Sequence, residues 1–160
     1  MHFFTWVPFL IMFLDQASKR LIMHLSYNEI TFKIPFIESK IVWNKGISFG
    51  MLGVSYYNVL IYGAILISIC LIVVTWMKAK NKLDIIAWGL IVGGGFSNLC
   101  DRVLFGAVLE FISFSFYKFH FPWVFNIADV SITIGACLLA RHLIRKNKKI
   151  KKLENANFKK

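Results

Sequence analysis

Acidic residues are scarce in this chain: 8 Asp and Glu stand against 19 Lys and Arg in 160 residues, a formal charge of +11. Such a balance suits nucleic acid when basic and aromatic side chains interleave along one face. Here they do not. The basic residues gather in a short stretch with Lys78, Lys80 and Lys82 and in a tail from Arg141 to Lys160, which fits an anionic membrane surface and excludes nucleic acid as the expected partner. Cysteine is equally sparse. Cys70, Cys100 and Cys137 each lie within an apolar run, without CxxC or Cys/His spacing, so neither a disulfide framework nor a zinc site is expected. His2, His24, His120 and His142 are scattered, and no metal or organic cofactor is implied. Gly93-Gly94-Gly95 follows no strand and precedes no Gly-Lys-Ser/Thr, which excludes a nucleotide loop. A basic leader is missing too: Met1-His2-Phe3-Phe4 does not open a cleaved signal peptide, so the first apolar segment reads as a retained helix.

What is abundant is apolar surface. The chain is 58% hydrophobic with a mean hydropathy of +0.63, above the usual composition of soluble domains, and reads as one integral membrane domain. A bilayer crossing needs about 20 residues. The sequence predicts four membrane-spanning helices near 4–25, 56–76, 84–104 and 123–143. The first is completed only by running through Asp15, Lys19 and Arg20. Residues 26–55 hold two short strand candidates, Ile30–Ile34 and Ile41–Trp43, and predict a small extracytoplasmic β-sheet. Residues 105–122 are too polar to span and too apolar to be free in water, and are expected as an interfacial helical segment. The fold class is thus all-α, a membrane bundle of four helices with a small sheet. The loop 77–83 and the tail 144–160, the latter expected to be partly disordered, carry the positive charge and are therefore cytoplasmic, with both termini inside.

That orientation brings every unusual polar group to the outer side. Asp15 and Lys19 stand at i, i+4 in the first helix and can neutralise each other; a plain structural ion pair is the simplest account. Asn98, Asp101 and Arg102 share a face at the outer end of the third helix, with Asp101 and Arg102 read as an ion pair. Asn126 and Asp129 open the fourth. A helix cap accounts for these two in isolation, but a carboxylate at membrane depth marks a functional site by default, and the convergence favours a site. Asn44-Lys45-Gly46-Ile47-Ser48-Phe49-Gly50 adds a tight turn on the same side.

Four motifs in this order resemble signal peptidase II, a family of four-helix membrane aspartic proteases, over essentially the whole chain. Asp15-Gln16-Ala17-Ser18-Lys19 is similar to its DQxxK element, Asn44 to Gly50 to NxGxxFG, Gly93 to Arg102 to GGxxGNxxDR, and Phe125 to Asp129 to FNxAD. Two positions depart. Ser97 stands where the family usually has Gly. Glu110, eight residues after Arg102 and in Val108-Leu109-Glu110-Phe111, stands where it has a catalytic Asp in VxDF.

The resemblance implies a catalytic dyad of Glu110 and Asp129, two carboxylates sharing a proton and activating one water. Asn44, Gly46, Asn98 and Asn126 would support the dyad or bind substrate, and Asp15, Lys19, Asp101 and Arg102 would hold helices together. The implied substrate is a diacylglyceryl-modified prolipoprotein, cut just before its lipidated cysteine. Membrane lipids are the other implied partner, and a monomer in the bacterial inner membrane is expected. Two alternatives stay open: a non-catalytic lipoprotein-binding relative, motivated by Glu110, and a small proton or ion transporter. Against the latter, the polar groups sit near one face and no internal repeat is visible.

Overall fold

The computed structural model describes residues 6–27, 33–45, 63, 67–68, 70–71, 74, 81–117 and 119–157. Three long helices lie among them. Helix α1, Val7–Tyr27, carries Pro8 in its first turn, where a missing N–H costs nothing. Helix α2, Lys82–Phe105, starts on Asn81, whose Oδ1 accepts from the Asp84 N–H at 2.9 Å while its Nδ2 donates to the Asp84 carboxylate at 2.9 Å. The first of these bonds satisfies one donor the first turn leaves open. The helix stops at Gly106, whose φ of 73° is left-handed and whose N–H returns to the Arg102 carbonyl. Helix α3 covers Ile127–Asn157. Helices α2 and α3 are each long and apolar enough to cross a membrane. Most of 56–76, the expected second span, lies outside the described residues, as do residues 46–50 of the Asn44–Gly50 motif and most of the 77–83 loop; residues 63, 67–68, 70–71 and 74 are helical.

Among the described residues, four antiparallel strands form one sheet in the order β1-β2-β3-β4: Lys33–Ile34, Ile37–Asn44, Val108–Phe116 and Phe119–Phe125. This corrects the expectation of an interfacial helical segment over 105–122: residues 108–116 and 119–122 are strand. The physical reason is visible in β3: Leu109, Phe111 and Ser113 are buried on one face while Glu110, Ile112 and Phe114 stand on the other, and aromatic and β-branched residues suit that half-buried pleat. Pro122 is tolerated because β4 is an edge strand. The last helix consequently starts at Ile127 rather than near 123. Its far end also differs from expectation: the basic tail stays helical to Asn157. Lys, Leu, Ala and Glu are good helix formers, which lets the helix continue past the apolar stretch.

Close helix packing positions the polar groups. Gly94 on α2 faces the first turns of α3, where an added Cβ would lie 2.5 Å from the Ala128 carbonyl and 2.6 Å from Ser131 Oγ. Only hydrogen fits there, as with small residues at helix interfaces in membranes. The turn at Gly106 then folds β3 back over the C-terminal end of α2, bringing the Leu109 N–H to Asp101.

Candidate active site

The site begins with a buried ion cluster between α1 and α2. Lys19 Nζ lies 2.6 Å from Asp15 and 2.8 Å from Asp101, and also donates to Asn98 Oδ1 at 3.1 Å. Three donors meet three acceptors, which is what a buried ammonium requires. Asp15, fully buried, spends its second oxygen on the α3 helix: Oδ1 accepts the Ala128 N–H at 2.8 Å. An orphan donor of that helix's first turn is thus satisfied from another helix. Asp101 accepts from Gln16 Nε2 at 2.7 Å and from the Leu109 N–H at 3.1 Å, tying β3 to the bundle.

This corrects the reading of Asp101 and Arg102 as an ion pair. Consecutive helix residues do not face one another; Asp101 turns to Lys19 and Gln16, while Arg102 Nη1 donates to the Asn98 carbonyl at 3.3 Å. Two members of the cluster were not among the expected site residues. Ser97 Oγ donates to Asp15 Oδ2 at 2.7 Å and accepts from Gln16 Nε2 at 3.1 Å. The signal for Ser97 was its departure from the family's usual Gly; for Gln16 it was its place within DQxxK.

Around this cluster stand the two candidate carboxylates. Asn126 and Asp129 do form a cap, and a reciprocal one: the Asp129 N–H donates to Asn126 Oδ1 at 2.9 Å and the Asn126 N–H to Asp129 Oδ2 at 3.1 Å. The cap and the site are the same residues. Asn98 Nδ2 donates to Asp129 Oδ1 at 2.9 Å. The direction of that amide is fixed from behind, since Asn98 Oδ1 accepts from both Lys19 and Asn126 Nδ2. Asn126 Nδ2 also donates to the Leu109 carbonyl, one residue before Glu110.

Glu110 projects from β3, where Asn44 Nδ2 donates to its Oε1 at 2.7 Å. Burial pushes its pKa above the usual carboxylate range; the Asn44 hydrogen bond opposes this, the charge of Asp129 adds to it, and those of Arg102 and Lys19 again oppose. Glu110 therefore lies within electrostatic reach of Asp129. Two half-buried carboxylates on adjoining elements, each oriented by an amide, make an arrangement able to hold one proton and polarise a water. Gly46 lies outside the described residues.

Comparison with known proteins decides the family. The sequence model described as "Signal peptidase (SPase) II" matches residues 7–145. The chain belongs to the signal peptidase II family. A lipoprotein signal peptidase of Pelagibacter ubique is 38% identical over 151 residues, covering 89% of each chain, and one of Caulobacter vibrioides is 41% identical over 145 residues, covering 84% of each. Two solved structures, each described as a bacterial membrane enzyme, superpose with TM-scores of 0.75 and 0.70 at 26% and 29% identity, covering 89% and 86% of this chain and 88% and 89% of theirs. As a signal peptidase II, the protein is an integral bacterial membrane protease of the lipoprotein-processing class, helical with a small antiparallel sheet, and its substrates are prolipoproteins whose signal peptide it removes.

Proposed function

We propose that this signal peptidase II is an aspartic-type endopeptidase using Glu110 and Asp129, and that it cuts diacylglyceryl-modified prolipoproteins just before the lipidated cysteine. The observation that carries the reading is the disposition of the two carboxylates: they come from β3 and α3, each is oriented by an amide, Asn44 or Asn98, and Asn126, which caps the helix with Asp129, also holds the Leu109 carbonyl next to Glu110.

In the reaction, the pair holds one proton. The ionised member removes a proton from water as the water oxygen bonds to the scissile carbonyl carbon. The protonated member gives its proton to the carbonyl oxygen, leaving a neutral tetrahedral diol. The carbon–nitrogen bond then breaks as a proton passes to the departing amine and the other returns from a diol hydroxyl to the dyad. Titration belongs to the pair. The positive charge of the 77–83 loop and the α3 end favours a cytoplasmic location for both termini and an extracytoplasmic site in the inner membrane.

The test is cleavage of a diacylglyceryl-modified prolipoprotein by Asp129→Asn in lipid micelles. The reading expects cleavage to be lost while the fold persists; cleavage near the wild-type rate would contradict it.

A further inference from the structure

The pairing of α3 with α2 runs from Ala128 beside Gly94, through Gly135 beside Ala87, to His142, which lies 3.4 Å from Asp84 in the first turn of α2. Beyond that point every residue from Leu143 to Ala156 is exposed. The helix nevertheless continues to Asn157, about 22 Å further at a rise of 1.5 Å per residue.

Its exposed side chains are sorted by face. Arg141, Arg145, Lys148 and Lys152 recur at i, i+4, i+7 and i+11, along one side; Leu143, Ile150 and Leu153 recur at i, i+7 and i+10, along the side opposite. Lys149 and Lys151 flank the basic row. Lys146 stands within the apolar side, where a long stem lets the ammonium reach out of it. Seven Lys or Arg lie between 141 and 157 against one acid, Glu154. Topology alone accounts for positive charge at a cytoplasmic helix end. It does not account for a helix that runs on with Leu143, Ile150 and Leu153 exposed by 58%, 44% and 57% and lined up away from that charge. A second copy of the segment would set seven like charges against seven. Nucleic acid would neutralise the basic row and leave the apolar side in water. An anionic bilayer surface offers acyl chains and phosphates in adjacent layers, and α3 is long and apolar enough to emerge from that bilayer.

We propose that the end of α3, from Arg141 to Asn157, is a basic amphipathic element that docks on the anionic phospholipid surface where the helix leaves the bilayer. Leu143, Ile150 and Leu153 enter the acyl boundary, and Arg145, Lys148 and Lys152 bind phosphate headgroups. The contact ties the helix that carries Asp129 to the membrane surface, and it does not depend on the dyad.

The test uses the full-length protein in nanodiscs of phosphatidylcholine alone or of equal parts phosphatidylcholine and phosphatidylglycerol. Amide hydrogen exchange across 144–157 slows by about tenfold or more in the anionic discs, because docking must be released before the helix frays, and high salt reverses the slowing. In Leu153→Trp, brominated acyl chains quench the added fluorescence in the anionic discs. Arg145→Gln/Lys148→Gln/Lys152→Gln and Ile150→Gln/Leu153→Gln, which keep good helix formers in place, each abolish the difference between the two discs while the unfolding temperature stays at the wild-type value. Equal exchange in both discs overturns the docking. So does a difference that Ile150→Gln/Leu153→Gln keeps in full, which leaves electrostatic attraction alone. Slowing by RNA added to neutral discs, with none from phosphatidylglycerol, overturns it in favour of nucleic acid. Asp129→Asn docks as the wild type does, so failure of the docking and failure of the dyad are seen separately.

Discussion

Two sets of carboxylates sit within one polar region, and they are held in opposite ways. Asp15 and Asp101 are buried, and both bind the Lys19 ammonium; each also takes further donors on both of its oxygens. Asp129 and Glu110 are half-exposed and are held by amides, from Asn98, Asn44 and the Asn126 backbone. A cation fixes a carboxylate in its charged form and saturates it. An amide orients a carboxylate while leaving it able to take up and release a proton. The first arrangement builds a scaffold; the second suits the acid–base pair proposed above. The link between them is Asn98, which accepts from Lys19 on one side and donates to Asp129 on the other, so the scaffold sets the direction of an amide in the site.

The comparison breaks most visibly at Lys19. Lys19→Met leaves Asp15 and Asp101 buried without their cation, and losing one partner of a buried pair costs about 3–5 kcal/mol. The unfolding temperature in micelles is expected to fall sharply, and activity with it. Asp129→Asn is the converse case. Its unfolding temperature stays near wild type, because an amide oxygen can still cap the helix, while cleavage falls by about a hundredfold or more, the scale of a lost acid–base group. Ser97→Gly comes next. It deletes the hydroxyl that donates to Asp15 and loosens a helix interior, together about 1–2 kcal/mol; calorimetry should register this while kcat hardly changes.

Asn44→Ala has a pH signature, the smallest of the expected effects. The Asn44 hydrogen bond favours ionised Glu110 and partly offsets the rise caused by burial. Its removal moves the Glu110 pKa further up. In the proposed dyad, activity needs one proton on the pair and is lost as pH rises past the higher of its two titrations. The alkaline limb of kcat/KM therefore shifts to higher pH in the residual activity of Asn44→Ala. Movement to lower pH would contradict the sign.

The sequence made some of this legible and hid the rest for identifiable reasons. Asn98, Asn126 and Asp129 stand out in the sequence, because a polar group at the end of an apolar helix has few purposes, and the structure brings the three together. Motif order supplied Asn44 and Glu110 as partners of that group. Residues 108–125 were misread because both faces of β3 begin apolar: Val108 and Leu109 are each buried, so alternation is weak and periodicity alone does not separate strand from helix. Asp101 and Arg102, adjacent and of opposite sign, suggested a pair. The true partner of Asp101, Lys19, lies on another helix, a choice local spacing cannot reveal. Ser97 and Gln16 bond across α1 and α2 for the same reason beyond the reach of local pattern.

The central claim is that Glu110 and Asp129 act as one acid–base unit. Glu110→Gln tests it most directly, because the amide preserves length and shape and removes only the ability to exchange a proton. With Glu110→Gln shown to unfold at the wild-type temperature, the dyad predicts no measurable cleavage of a diacylglyceryl-modified prolipoprotein in a single-turnover assay. Cleavage at the wild-type rate would contradict it.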